Sequence, residues 1–220
     1  MPSDKLLLAV ASLIPMILSL TVHEWAHAWS ARKLGDDTAE RMGRLTLNPL
    51  PHIDLFGTIL LPLMAMMTPG MPFFGWAKPV PVNAARFRRG VNMNTGMAIT
   101  ASAGPIANVV LAVAATATIA GLYRFAPAFV ADNRGVVAFL GTTLELNVVL
   151  AVFNLIPIPP LDGSRVLGAL LPRRLQPGWE TFTRFSPFLI LGLIFFGGRL
   201  IAGPTNAMMG LLNQLFVALT

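Results

Sequence analysis

His23-Glu24-Trp25-Ala26-His27 sets two imidazoles four residues apart, with a carboxylate beside the first. On a helix, positions i and i+4 lie about 40° apart around the axis and one turn apart along it, so both rings can reach one metal ion. Glu24 stands beside such an ion but off the ligand face, where it can accept a proton from water held on the metal. Two neutral ring nitrogens suit zinc, which takes a third protein ligand and keeps one open position. The competing reading is a polar cluster at a helix end, snorkelling to an interface. Three ionisable residues in five within an apolar helix are expensive, however, and need a shared partner.

The third ligand must come from elsewhere. Lys33 stands where H-E-x-x-H-x-x-G-x-x-H zincins carry their last His, which excludes that class. Glu40 lies among Asp36, Asp37 and Arg41, a stretch that reads as a solvated loop. His52 and Asp54 are better rivals, although His52 is more simply a loop residue. Asp162 is the strongest candidate, in Asn154-Leu155-Ile156-Pro157-Ile158-Pro159-Pro160-Leu161-Asp162-Gly163. There, prolines end an apolar helix just before a carboxylate, and broken helices at membrane depth are tolerated where they line a polar cavity. Gly163 permits a tight turn.

The elements that must hold these groups follow from composition. The 220 residues are 55% apolar and 12% charged, with a mean hydropathy of +0.67. A soluble domain averages about 25% charged, and one of this size has too little interior for so much apolar surface. Disorder fails for the same reason. What remains is an all-α polytopic membrane protein set in a lipid bilayer. The net charge of +6 fits Lys and Arg retained in cytoplasmic loops. Without a basic stripe interleaved with aromatics, nucleic acid is not an expected partner. The absence of cysteine excludes disulfides, thiolate zinc sites and cysteine nucleophiles.

The first apolar run extends from Leu6 to Trp29. A signal-peptide cut at Ala26-His27-Ala28 would sever the motif, so the run is read as retained. The run 55–68 contains Gly57 and Pro62 and falls short of the roughly 20 residues a span needs, so it reads as re-entrant. Gly75 to Asn83, with Pro79 and Pro81, suits an extended edge strand. Small residues dominate 98–121, as in closely packed transmembrane helices, and 136–156 forms the next span. The runs 187–200 and 205–219 read as a hairpin split at Gly203-Pro204. The expectation is about five to six transmembrane helices with a re-entrant segment and a short membrane-associated β-hairpin or strand. They form one domain over 1–220, with its core at 6–165 and a C-terminal helical hairpin at 187–219.

Together, the H-E-x-x-H motif and Asn154-x-x-Pro157-x-x-x-x-Asp162-Gly163 resemble the site-2 protease family (M50) of intramembrane zinc metalloproteases. Gly104-Pro105-Ile106-Ala107-Asn108 resembles a further motif of that family. The likeness covers nearly the whole chain, in a small form without a PDZ or nucleotide-sensing CBS domain. It implies one Zn2+ per chain bound by His23, His27 and Asp162, with Glu24 as base. It also implies that Asn154 and Asn108 lie near substrate, Asn154 as an oxyanion donor. The implied activity is hydrolysis of peptide bonds in a single-span membrane protein; nothing is implied about oligomeric state. A secondary transporter is a rival, but no repeated halves are visible. A non-proteolytic zinc scaffold is another, but it would not need Glu24. Glue between helices is the rival reading of Asn108 and explains Asn147 as well as function does, and Glu145 could line a cavity or a contact.

Topology offers an independent test. If 55–68 spans, the helix carrying His27 and the helix before Asp162 end on opposite sides, and one metal cannot serve both. If it is re-entrant, they end on one side. Twelve of the 16 Lys and Arg then share that side, leaving Lys5, Arg124, Arg134 and Arg199 opposite. The positive-inside rule thus places the site near the cytoplasmic face, in what the resemblance suggests is a bacterial plasma membrane. Helical peptide bonds are shielded, so substrate must unwind, and 78–83 is a candidate edge for pairing with it.

Overall fold

A computed structural model describes residues 2–68 and 75–220. The α-helices in chain order are α1 (Pro2–Leu34), α2 (Thr38–Arg41), α3 (Leu61–Met67), α4 (Met93–Phe125), α5 (Pro127–Asp132), α6 (Arg134–Asn154), α7 (Asp162–Leu170), α8 (Gln176–Arg184), α9 (Ser186–Phe196) and α10 (Gly198–Leu219). The fold is all-α, as expected. Among the described residues there is no β-strand, so the expected hairpin or strand is not found there; 69–74 lies outside them. Residues 75–83 are extended but join no ladder. Trp76 N donates to the Gly57 carbonyl at 3.1 Å and Lys78 N to the His52 carbonyl at 2.9 Å, while residues 79 and 81 are prolines with no N–H to give.

The run 55–68 holds one short helical stretch, Leu55–Met67. It begins as a π-helix, Leu55–Leu60, capped by Asp54, whose carboxylate accepts the Phe56 and Gly57 N–H groups, and continues as α3. Its length is about 20 Å, short of the ~30 Å apolar core of a bilayer.

Among the described residues two helices, α4 and α6, are long and apolar enough to cross a membrane, and the bent pair α9–α10 raises the number to three. The five to six spans expected are not confirmed by this count: α1 is not among these helices, and the last two runs meet as one bent pair. The bend, 66°, falls at Gly197, not at Gly203-Pro204; Pro204 lies inside α10. A Cβ at Gly197 would stand 2.2 Å from the Leu193 carbonyl oxygen, so only glycine fits there.

The central helix α4 packs on α1, α6, α7 and α10. Its inner face is made of small residues, Ala101, Gly104, Ala112, Ala115 and Ala120, which allow close approach. Ile99, Ile106, Val110 and Val113 on the same turns are exposed, as on a lipid-facing surface. The extended segment 75–83 lies along α1. Ala77 packs with Leu13, Met16 and Leu20, and Val80 packs with Ala28 and Ala39.

Candidate metal centre

The i, i+4 spacing brings the two imidazoles together as the helix period requires. His23 Nε2 and His27 Nε2 are 3.1 Å apart. Asp162 Oδ2 lies 3.1 Å from the first and 3.3 Å from the second. All three side chains are buried. His27 Nδ1 faces the Thr100 carbonyl at 2.7 Å, an acceptor only, so Nδ1 carries the proton and Nε2 presents a lone pair. His23 Nδ1 faces Asn108 Oδ1 at 2.5 Å, with the same consequence. Asp162 Oδ2 is buried without a hydrogen-bond donor. Three lone-pair atoms converging in a buried pocket repel one another unless a cation lies between them. Tetrahedral zinc with bonds of about 2.0–2.1 Å separates its ligand atoms by about 3.3–3.4 Å. The observed triangle fits that requirement.

Two glycines let the helices close on this point. A Cβ at Gly104 would stand 2.5 Å from His27 Nε2 and 2.6 Å from His23 Cε1, so α4 can approach the imidazoles only because residue 104 has no side chain. Pro105 follows within the helix. It has no N–H for residue 101, which loosens the turn whose Thr100 carbonyl serves His27. Asp162 is the first residue of α7, after Leu161 in extended conformation. A Cβ at Gly163 would stand 2.1 Å from the Leu155 carbonyl oxygen. The proline-rich connection thus folds back against the end of α6, carrying the carboxylate to the imidazole pair. Gly104 lies eleven residues into α4, about 16 Å along its axis, opposite the apolar surface of Ile99 and Ile106.

Glu24 is 9% exposed, and a carboxylate oxygen lies within 4.8 Å of the imidazole ligand atoms. Its Oε2 accepts the Val80 N–H at 2.7 Å. Arg44, also buried, donates to the Lys78 carbonyl and braces the same segment. Burial holds the Arg44 guanidinium below the usual arginine range, against the opposing pull of the Glu24 charge.

The remaining candidates are placed as follows. Asn108, fully buried, faces His23. Asn154 Nδ2 donates to the Leu150 carbonyl at 3.0 Å within its own helix. His52 Nε2 bonds the Thr46 carbonyl at 2.9 Å, Asp54 is a helix cap, and Glu40 pairs with Arg32 at 2.5 Å; each has a structural partner away from the imidazoles. Glu145 lines a separate cavity of about 570 Å³, with Met16, Leu20 and Thr142. The extended segment offers substrate few donors. Trp76, Lys78, Val80 and Asn83 give their N–H groups to Gly57, His52, Glu24 and Asp36, and residues 79 and 81 are prolines. Nothing in the sequence marks Thr100, Val80 or Arg44. The first two act through main-chain atoms, which no residue type announces, and Arg44 resembles any loop cation.

Residues 119–196 match the family described as Peptidase family M50, a stretch that contains Asn154 and Asp162. The chain is 36% identical over 225 residues to the proposed zinc metalloprotease YwhC of Bacillus subtilis, covering 98% of this chain and 97% of that protein. It is 37% identical over 192 residues to the proposed zinc metalloprotease Rip2 of Mycolicibacterium smegmatis, covering 86% of this chain and 66% of that protein. Rip2 of Mycobacterium tuberculosis is 30% identical over 180 residues, with 81% and 62% covered. No solved structure matches.

Proposed function

From the premise that the chain belongs to peptidase family M50, we propose that it is an intramembrane zinc metalloendopeptidase cutting membrane-embedded segments of single-span proteins. One observation carries the reading: three buried lone-pair atoms, from His23, His27 and Asp162, meet within 3.3 Å of one another, with the Glu24 carboxylate beside them. Their depth along α4, behind exposed apolar side chains, supports cleavage within the bilayer.

Zinc, when bound, supplies Lewis acidity, polarising a carbonyl and bringing the pKa of water from ~15.7 towards ~7. His23, His27 and Asp162 would hold the ion. Glu24 takes the proton released as water attacks and passes it to the leaving amine. The Val80 N–H occupies Oε2, which leaves the other carboxylate oxygen for that proton. Asn154, at the end of α6, turns its amide from the Leu150 carbonyl to the developing oxyanion. The cytoplasmic-side placement rests on the positive-inside distribution of Lys and Arg.

The test is cleavage of a single-span substrate in detergent by wild type and Glu24→Gln. The variant should bind zinc as wild type does and lose ~10²–10⁴-fold in rate. Full activity in Glu24→Gln, or in wild type stripped by a chelator, refutes the assignment.

A further inference from the structure

A chain of buried hydrogen bonds runs from α6 through α4 to His23, and its direction is set at one end. Asn147 Nδ2 donates to the Thr143 carbonyl at 2.8 Å and to Ser19 Oγ at 2.8 Å. Asn108 Nδ2 donates to Asn147 Oδ1 at 2.6 Å. Asn108 Oδ1 faces His23 Nδ1 at 2.5 Å. Asn108 and Asn147 are both 0% exposed, so bulk water does not reach them.

A side-chain amide can present its oxygen or its nitrogen on either side, and a neutral imidazole can carry its proton on either nitrogen. A main-chain carbonyl has no such freedom; it only accepts. The Thr143 carbonyl therefore requires the nitrogen of Asn147, which turns the Asn147 oxygen towards α4. That oxygen requires the nitrogen of Asn108, which turns the Asn108 oxygen towards His23. The oxygen then requires a proton on His23 Nδ1, and the Nε2 lone pair is left facing His27 and Asp162. With Asn108 reversed, its N–H groups would point at His23 Nδ1, the ring proton would move to Nε2, and no lone pair would face the centre. Ser19 can donate or accept and does not set the direction.

We infer that Asn147 is a positioning residue which, through Asn108 and from the Thr143 carbonyl, holds His23 in the tautomer that can ligate a metal. The inference rests on the assignment of His23, His27 and Asp162 as the zinc ligands. An outer partner of a ligating imidazole contributes about 10–100-fold in metal affinity.

The experiment measures zinc affinity by chelator competition on the full chain in detergent, and the His23 tautomer by 15N NMR of histidine-labelled, zinc-free protein. Asn147→Leu keeps the shape and removes the relay. It should weaken zinc about 10–100-fold and move His23 towards the Nε2–H form. Adding Asn108→Asp should restore both, because a carboxylate accepts from Nδ1 in either orientation. Thr116→Val, which removes a buried hydroxyl bonded to the Ala112 carbonyl on the same helix, should change neither. Wild-type affinity and an unshifted ring spectrum in Asn147→Leu overturn the inference, as does a loss that Asn108→Asp fails to restore. Asn147→Ala replaces Asn147→Leu if the latter does not accumulate. His23→Ala separates the two claims: if it binds zinc as wild type does, the ligand assignment itself has failed.

Discussion

Gly104 is where the centre is most sensitive to one added carbon. An alanine there places its Cβ 2.5–2.6 Å from both imidazoles, inside van der Waals contact, and the rings or α4 must give way. A displacement of about 1 Å at a reacting centre can cost ~10²-fold in rate. Gly104→Ala is therefore expected to lose about that much cleavage activity and most of its zinc while circular dichroism keeps its helical signal. Zinc retained at wild-type affinity would show that the close approach is not required. The same scale separates Asp162 from Glu24. Asp162→Asn removes the proposed anionic ligand and should release zinc, whereas Glu24→Gln removes the proposed base and should not.

At the scale of elements, the extended segment 75–83 links the surface loops to Glu24. Its backbone is bonded to Gly57, His52, Glu24 and Asp36, and Ala77 and Val80 are packed on α1. Val80→Pro deletes the one N–H that reaches Glu24 in an extended stretch already flanked by prolines. A hydrogen bond to a charged group contributes about 1.5–3 kcal/mol, so kcat should fall roughly 10–100-fold with zinc content unchanged. An unaltered kcat would show that Glu24 needs no such tether. At the end of α6, Gly163→Ala drives a Cβ to 2.1 Å from the Leu155 carbonyl oxygen. Relief of that overlap should cost at least ~1–3 kcal/mol, measured as a lower unfolding midpoint of the zinc-free protein.

For the whole molecule, the proposed ligands link metal to fold, because they come from α1 and from the start of α7, which the unfolded chain does not bring together. Zinc at about 100 times its dissociation constant should stabilise the protein by ~2.7 kcal/mol, and His23→Ala should abolish that gain. Topology is open to a direct check, since the chain has no cysteine and single cysteines report cleanly. Labels at Glu40→Cys and Arg89→Cys should react from the same face of the membrane. Reaction from opposite faces would mean that Leu55–Met67 spans, contrary to its ~20 Å length.

What depends on local period and composition can be read from the residues alone. Imidazoles at i and i+4 share a helix face whatever surrounds them, and apolar runs such as 98–121 and 136–156 become helices because α4 and α6 satisfy their own backbone groups without water. The carboxylate after the prolines was legible for a similar reason, since proline ends a helix locally. How those pieces meet is set by packing between distant segments. That packing put the Thr100 carbonyl on one ring and Asn108 on the other, moved the C-terminal bend to Gly197, and left 75–83 without a strand partner. Those outcomes depend on which donor finds which acceptor across packed helices, and on where a missing Cβ lets two backbones touch. Such pairings join residues far apart in the chain, so no local pattern encodes them.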